Sequence, residues 1–529
     1  MRVAVIAPPY PLEECPAPPL GVTYVAAAFE AAGVDVKIID YIISKYSREK
    51  LIRELDSFRP HIVGVTSVTM NFPVAVDIVR AVKVYDESIL TVMGGPHVSF
   101  AAFSALSANP EIDVVVTGEG ERTIPELATC VAKKSGLGNV RGIVYRHNGA
   151  IVNTGWREFI DDLDTLPLPA RHLLPLSRYQ ALGYPISIIT GRGCPYSCIF
   201  CLGRRMVGKK VRQRSAPLIV DEIEQILSYG LNRINIADDL FTSSKKKVKE
   251  VCREIHERGL RFAWSAFARV DTVDGEMLEL MRDTGCDSIS FGVESGNREM
   301  LKRIKKGISL DGVRRAVKLC KEVGITAHAS FMVGLPGESH ETLSDTREFA
   351  ESLGIMYGYH FFSPFPGTEA RESVGRYDLE ILMNDWCRYD ANSAVVSTSK
   401  LSPEEMNEFV ASFDKEMQGL WEEKVKGYRE GTNLPEDDLR VKGHFRTQLV
   451  YKLLSEDLIE DSGEVPADTP HCPLGEAFGA LVRRIVERTG ADENLVHETI
   501  KSFAVSGYIK SREIGGRTVW YWTHNNRTD

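Results

Sequence analysis

The stretch Gly191–Arg205, GRGCPYSCIFCLGRR, decides how the chain is read. Cys194, Cys198 and Cys201 fall there in a CxxxCxxC pattern, while Gly191, Gly193 and Pro195 favour a tight loop over a packed helix. Such a loop wraps one small object. Structural zinc takes four tetrahedral ligands, usually as two close pairs, and the nearest further His or Cys residues, His172 and Cys252, are remote in sequence. Three closely spaced thiolates suit a four-iron cluster with one iron left open, where a small molecule can chelate. Three inert, buried thiols are the duller alternative, because free Cys packs as a small hydrophobe; the spacing and the glycines weigh against it.

The loop follows an apolar run, Ile186 to Thr190, that is the first of six. Arg233 to Ala237, Arg261 to Ala266, Ser288 to Gly292, Thr326 to Val333 and Gly358 to Phe362 complete the set, with helical patterns between them. Upstream lie five more βα repeats, with strands at Val3 to Ala7, Val36 to Asp40, Ile62 to Thr66, Leu90 to Met93 and Val114 to Thr117. Short continuous apolar strands alternating with helices argue a parallel, doubly wound, Rossmann-like sheet, whose ligands lie at the carboxyl ends of the strands. Those ends carry Thr66 and Ser67, then GGPH at Gly94, Gly95, Pro96 and His97, then GEGE at Gly118, Glu119, Gly120 and Glu121. The glycines permit close backbone approach to a large flat ligand or its phosphate tail, although plain βα turns have the same composition.

CxxxCxxC with Phe200 just before the last Cys resembles the signature loop of the radical S-adenosylmethionine (SAM) superfamily. PPLG at Pro18 to Gly21, GGPH and GEGE are similar to the N-terminal domain of its cobalamin-binding branch, which includes radical methylases and the anaerobic magnesium-protoporphyrin ester cyclase. The resemblance implies an open (β/α)6 partial barrel with chemistry at the C-terminal ends of its strands. It implies three cofactors: a [4Fe-4S] cluster on Cys194, Cys198 and Cys201, SAM cleaved to a 5′-deoxyadenosyl radical, and cobalamin. Implied SAM contacts are Phe200, the carboxylate pair Asp238 and Asp239 toward the amino group, Glu294 toward the ribose hydroxyls or the methionyl amine, and Gly334 and Gly337 beside the nucleoside. An acidic turn capping the next helix is the alternative for the pair. Implied cobalamin contacts are Thr66, Ser67, Gly94, Gly95, His97, Gly118, Glu119 and Gly120. The DxHxxG motif that supplies an axial His is absent from the sequence, so His97 is not assigned as a cobalt ligand, and loss of the corrin stays open. A one-electron reductant such as flavodoxin or ferredoxin is the implied partner. C-methylation of an unactivated carbon is the leading reaction. Ring or C–C bond formation on a tetrapyrrole or lipid is the alternative, and a SAM- or corrin-responsive winged-helix regulator the reading from another class. No motif distinguishes a peptide, lipid, tetrapyrrole or small-metabolite substrate.

Composition sets the remaining bounds. At 529 residues the chain exceeds one ordinary core. Its net charge of −9, from 64 Lys+Arg and 73 Asp+Glu, argues against nonspecific nucleic-acid binding. No run reaches the roughly twenty apolar residues of a membrane span, and MRVAVIAPPYP reads as a first strand, not a secretory signal. A cytoplasmic protein is expected, and the ten Cys, scattered apart from those of the cluster loop, fit reduced thiols. LKRIKKG at Leu301 to Gly307 reads as a solvated basic face, with neutralisation of an acidic ligand as the other possibility. Cys252, Cys286 and Cys320 read as packing residues, and Cys387 and Cys472 are too far apart in sequence to suggest a second cluster. Past Ser399 the βα rhythm stops; Leu401 to Lys424 reads as one or two amphipathic helices, and the stretch from Gly475 as helix, helix and a strand pair turning at Gly515-Gly516. The expected division is 1–135 cobalamin-binding domain, 136–185 linker, 186–395 partial barrel, 396–474 helical region and 475–529 winged-helix-like module. Anoxic reconstitution is expected to give about four irons per chain and SAM-dependent 5′-deoxyadenosine, both lost in Cys198→Ala; iron analysis and product chromatography check this.

Overall fold

The computed structural model describes residues 1–12, 16–466 and 475–525; Cys472 lies outside them. β1 (Arg2–Ala7), β2 (Asp35–Asp40), β3 (Ile62–Thr66), β4 (Leu90–Gly94) and β5 (Val114–Val116) form a parallel sheet in the order β2-β1-β3-β4-β5. Its strands read as unbroken apolar runs because both faces are covered. Val3, Val5 and Ala7 of β1 feed one core while Ala4 and Ile6 feed another. The chain leaves β1 toward β2 on one side and places β3 on the other, so a crevice opens at their carboxyl ends.

The sheet does not end where the expected linker begins. β6 (Ile143–His147) and β7 (Ala150–Asn153) form the hairpin around Asn148-Gly149, and β6 pairs antiparallel with β5, giving seven strands. The exposed backbone edge of β5 makes this pairing favourable, since an unpaired edge wastes donors and acceptors. The rest of the expected linker, through the Pro-rich run, has only short helical turns before the helix Leu176–Leu182.

β8 (Ile186–Ile188) opens the second sheet, and β9 (Gly191–Arg192) and β10 (Arg212–Gln213) form a small antiparallel pair after it. β11 (Arg233–Ile236), β12 (Ala263–Ala268), β13 (Cys286–Glu294), β14 (Thr326–Val333) and β15 (Met356–Phe361) follow, all parallel, in the order β8-β11-β12-β13-β14-β15. This is an open (β/α)6 partial barrel, with β8 and β15 unpaired to each other. Cys252, Cys286 and Cys320 are buried in its outer, helix-facing core. After β16 (Glu380–Ile381) and β17 (Val396–Ser397), a single helix, Pro403–Glu430, covers β15; Phe413 packs 5.1 Å from both Tyr357 and Tyr359. A Ser402/Glu405 capping box starts it and Gly431 in the left-handed region ends it.

The C-terminal module is wider than 475–529. Helix Pro435–Ser455 and β18 (Glu464–Pro466) precede helices Glu476–Thr489 and Glu493–Val505, then β19 (Ile509–Ile514) and β20 (Arg517–Trp522). The sheet order is β18-β20-β19, with Gly515 and Gly516 both at positive φ in the hairpin turn. The module packs Phe478, Leu481 and Trp522 into one cluster with Leu12, Ile43 and Tyr179. Arg178 ties the units together: it donates to Asp457 at 3.2 Å and lies over the Trp522 ring. Beside it Tyr179 donates to Asp40 at 2.6 Å. Burial pushes the Asp40 carboxyl up to about 6, against the hydrogen bond from Tyr179. A carboxylate raised in the folded state contributes stability below its unfolded value and loses it as pH rises through about 6. Tyr179→Phe is therefore expected to cost about 1–3 kcal/mol at pH 7 and less at pH 5, where Asp40 holds its proton; urea melts at the two values check this.

Candidate active site

The cluster loop leaves the carboxyl end of β8 and is closed at its neck. β9 and β10 pair Gly191 with Gln213 and Arg192 with Arg212, and the Cys194 N–H donates to Gly208 at 3.1 Å. Gly193 sits at φ 107°, and a Cβ there would lie 2.3 Å from the Lys210 carbonyl oxygen, so no other residue fits this neck. On the far side the Ile199 N–H donates to Ile304 at 3.2 Å and its carbonyl accepts from Ala370 at 3.0 Å. The Gly203 N–H points at Cys201 Sγ, 3.3 Å away. Among the described residues no three His, Cys, Asp or Glu side chains converge on a single-ion site; a four-iron cluster asks for no such convergence, because each thiolate takes a different iron. Burial pushes the Cys198 thiol up, while Lys306 and Arg269 pull it down. Coordination by a metal removes that proton outright.

The barrel mouth surrounds the loop with paired charges. Arg269 lies over the Tyr196 ring at 3.5 Å, donates to the Lys306 carbonyl at 2.9 Å and pairs with Asp271. Lys306 Nζ lies 5.8 Å from the centre of the half-buried Phe200 ring and 2.6 Å from Glu294. Glu294 adopts φ 72°, which a non-glycine residue holds only when its surroundings force it. A Cβ on Gly292 would stand 2.5 Å from Glu294 Oε1, so that glycine makes room for the pair.

The expected carboxylate pair is divided. Asp238 is buried and accepts from the Thr190 N–H at 2.6 Å and its hydroxyl at 2.5 Å, joining the ends of β8 and β11. Burial raises its carboxyl to about 7, against those bonds. Only Asp239 faces the loop, with Oδ1 2.6 Å from where a Gly203 Cβ would stand. Gly334 is likewise committed to protein. Its N–H donates to Glu338 at 2.6 Å, and a Cβ would meet Met406 and Val396. Gly337 makes room for Arg303, so neither glycine faces an open nucleoside site.

Between the two sheets lies a cavity of about 380 Å³, within the range of cofactor pockets. Thr66, Gly94, Gly95, Gly118, Glu119 and Gly120 line it from the first sheet; Gly191, Arg192 and Asp239 line it from the barrel. Two expected members are not there. Ser67 is fully buried, with its hydroxyl on the Val68 carbonyl and its backbone against Gly95. His97 is packed between Phe72, tilted at 4.3 Å, and Trp386, edge-on at 5.0 Å, and burial lowers its imidazole to about 4, keeping it neutral. The cavity also runs inward, between the sheet and helix Leu20–Ala31, past Val5, Val92 and Phe29. Gly64 sits inside it, in mid-strand, with Ala4 O at 4.0 Å the nearest atom to an added Cβ. A glycine inside an apolar strand, IVGVT, was the available signal for this site. Lys306 was visible only as part of a basic run.

Glu119 serves a second purpose that its motif does not disclose. It accepts from Arg212 at 2.8 and 3.0 Å, from Arg192 at 3.1 Å and from the Ile160 N–H at 2.8 Å. Arg192 also donates to Glu121 at 2.5 Å. Burial works against the Glu119 charge, yet the hydrogen bond from Arg212 and its other partners hold the carboxyl below its ordinary value.

The Radical SAM superfamily profile matches residues 188–350, and the B12 binding domain profile matches residues 14–128. An uncharacterized methyltransferase of Pyrococcus horikoshii is 34% identical over 396 residues, covering 74% of this chain and 86% of the relative. The anaerobic magnesium-protoporphyrin IX monomethyl ester cyclase of Rubrivivax gelatinosus is 30% identical, covering 68% of this chain and 66% of the relative. Among solved structures, the radical S-adenosylmethionine methyltransferase TsrM from Kitasatospora setae, with cobalamin and a [4Fe-4S] cluster bound, superposes with a TM-score of 0.64 at 21% identity. That match covers 77% of this chain and 84% of the other; at this identity it bears on the fold alone. Glu119→Ala would leave Arg192 and Arg212 buried without their shared carboxylate, and is expected to cost about 3–5 kcal/mol, measured by chemical denaturation.

Proposed function

We propose, from the premise that this chain belongs to the cobalamin-binding branch of the radical SAM superfamily, that it methylates an unactivated carbon. The observation that carries this is the shared cavity, which brings the glycine-rich edge of the first sheet and the cluster-loop end of the barrel to one space. The similarity to a protein named a methyltransferase over 86% of its length supports the same reaction.

The lining of the cavity suits the tail of a corrin and the edge of its ring. Gly94, Gly118 and Gly120 present bare backbone at its edge, and the space around Gly64 is a slot that a single side chain would fill. Its walls, Val5, Val92 and Phe29, are apolar and would take a flat, uncharged group. Cys194, Cys198 and Cys201 would hold the cluster. Asp239, beside the loop, and Glu294 would receive the ammonium and ribose groups of SAM, with Phe200 packing under them; Asp238 would act through Thr190 as a positioning residue. When bound, the cluster with SAM supplies a radical able to remove hydrogen from carbon, and the corrin supplies a methyl carrier.

The chain's own contribution is alignment. The Glu119–Arg192–Arg212 cluster fixes the two ligand edges across a narrow gap, and such positioning is worth several kcal/mol in a reaction between bound partners. The apolar walls exclude water from the reacting groups. Among the described residues no helix is long and apolar enough to cross a membrane. We place the protein in the cytoplasm, where reduced thiols persist and a flavodoxin or ferredoxin can deliver electrons.

Gly64→Leu tests the proposal. The backbone there has an ordinary conformation and room for a side chain, so the fold is expected to survive while cobalamin retention falls at least roughly tenfold. Corrin absorbance after gel filtration reads this, with cluster absorbance as the internal control. Mass spectrometry of wild-type product is expected to show a gain of one methyl; a loss of two hydrogens would instead favour ring formation.

A further inference from the structure

Closed barrels fill their interiors with bulky branched side chains; this partial barrel does not. Along each strand one set of alternating residues packs outward under the helices, as Ile234, Trp264, Phe291 and Phe331 do. The other set faces inward. Strand register places Phe267, Ser290 and His328 side by side in one inward row, and Gly292, Ser330 and Gly358 in the next. Below them Ser265 stands beside Ser288. These side chains remain reachable by solvent, and Phe267, in a central strand, is 50% exposed. The lumen is not packed shut.

Its charge distribution is equally uneven. Fixed charges stand as pairs at the rims: Arg233 with Asp287 at 2.6 Å at the lower end, and Glu294 with Lys306 at 2.6 Å and Arg269 with Asp271 at 3.0 Å at the mouth. Between these rims no inward position of the six strands is Asp, Glu, Lys or Arg. The inward groups are hydroxyls, glycine backbone, imidazole, thioether, one phenyl ring, the Ala263 methyl and the neutral carboxamide of Asn235, which accepts from the Ser265 hydroxyl at 3.0 Å. Burial lowers the His328 imidazole from its ordinary value, so it too is neutral near pH 7. A charged ligand group entering this space would lose water without gaining a counter-charge, which costs several kcal/mol.

We infer that the substrate of the reaction proposed above enters this lumen as a bulky, uncharged portion, hydrocarbon or ring, bearing at most hydroxyl or carbonyl groups. The inference rests on that reading for the word substrate, but the selectivity belongs to the lumen itself. Shape follows from Ser265, Ser288, Ser290 and Ser330 and from Gly358, where an added Cβ would meet nothing within 4 Å; Phe267 offers a flat apolar contact, and the space at Gly292 is taken by the Glu294–Lys306 pair. Any charged end of the molecule is left to the rims or to solvent.

The test uses full-length protein loaded with cluster and cobalamin, so that the corrin cavity is filled, and two probes of similar size. N-phenyl-1-naphthylamine is neutral; 1-anilinonaphthalene-8-sulfonate is anionic. Wild type is expected to bind the neutral probe at least roughly tenfold more tightly, by fluorescence titration. Ser290→Trp, which fills the middle row, is expected to weaken the neutral probe roughly tenfold, while Val84→Trp, on the outer surface of the first domain, leaves it unchanged. Ser330→Lys is expected to move the preference toward the anionic probe. Equal or stronger binding of the anionic probe by wild type, or indifference of the neutral probe to both lumen substitutions, would overturn the inference. If the probes behave as expected but no extract yields a product carrying the SAM methyl group, the methylase reading fails and the lumen's preference for uncharged ligands stands.

Discussion

The two ligand edges of this protein are held together by one buried carboxylate. Glu119 lies just past the carboxyl end of β5 and binds both Arg192 and Arg212, the residues that pair across the neck of the cluster loop. Removing three charges from water costs more than their attraction returns unless every remaining donor and acceptor is occupied. Here the Ile160 N–H and carbonyl and the Val207 carbonyl take up further hydrogen bonds. One donor, Arg212 Nε, is still left buried without a partner, so the cluster is better understood as a register device than as a source of net stability: its hydrogen bonds form only when the sheet edge and the loop neck meet in this placement.

That constraint explains why so much of the local sequence is glycine. The loop neck must pass under Lys210, and Gly193 alone permits it. Gly95 must lie against Ser67, where a Cβ would stand 2.5 Å from a carbonyl oxygen. Neither glycine is a ligand device in itself. Each lets one piece of backbone cross another, so that the half-buried glycines Gly94 and Gly118 end at the shared cavity.

The fold was legible in the sequence because its strands are short, apolar and evenly spaced, and all eleven expected parallel strands are present with small shifts at their ends. The hairpin that extends the first sheet was seen as a hairpin, but its partner was not, since edge pairing leaves no mark on the pairing strand. The site was legible at the level of loops and not of side-chain direction. Asp238 and Asp239 are adjacent in sequence, yet a strand end turns neighbouring side chains to opposite sides, and Thr190 captured one of them. Gly334 looked like an opening for ligand. Whether a glycine admits ligand or protein depends on what packs beside it, and here that is Met406, far along the chain. His97 was placed at the ligand edge by its motif, but two aromatic rings gave it an apolar home.

The barrel shows where stability and chemistry part company. Its outward residues form a continuous core with the helices, and the open edge strand β15 is sealed by Phe409 and Phe413 from the long helix that follows. Burying a large apolar side chain stabilises by about 1.5–3 kcal/mol, so that outer layer suffices to hold the sheet. The inward rows are thereby released from packing, and hydroxyl and glycine positions that would weaken a filled barrel are tolerated at little cost. Strand alternation makes this separation possible, since each face of the same strand answers to a different demand. Closure of the barrel into eight strands would remove it, because an enclosed interior must be packed to exclude voids; six strands and an external helix keep the sheet stable while leaving its interior open.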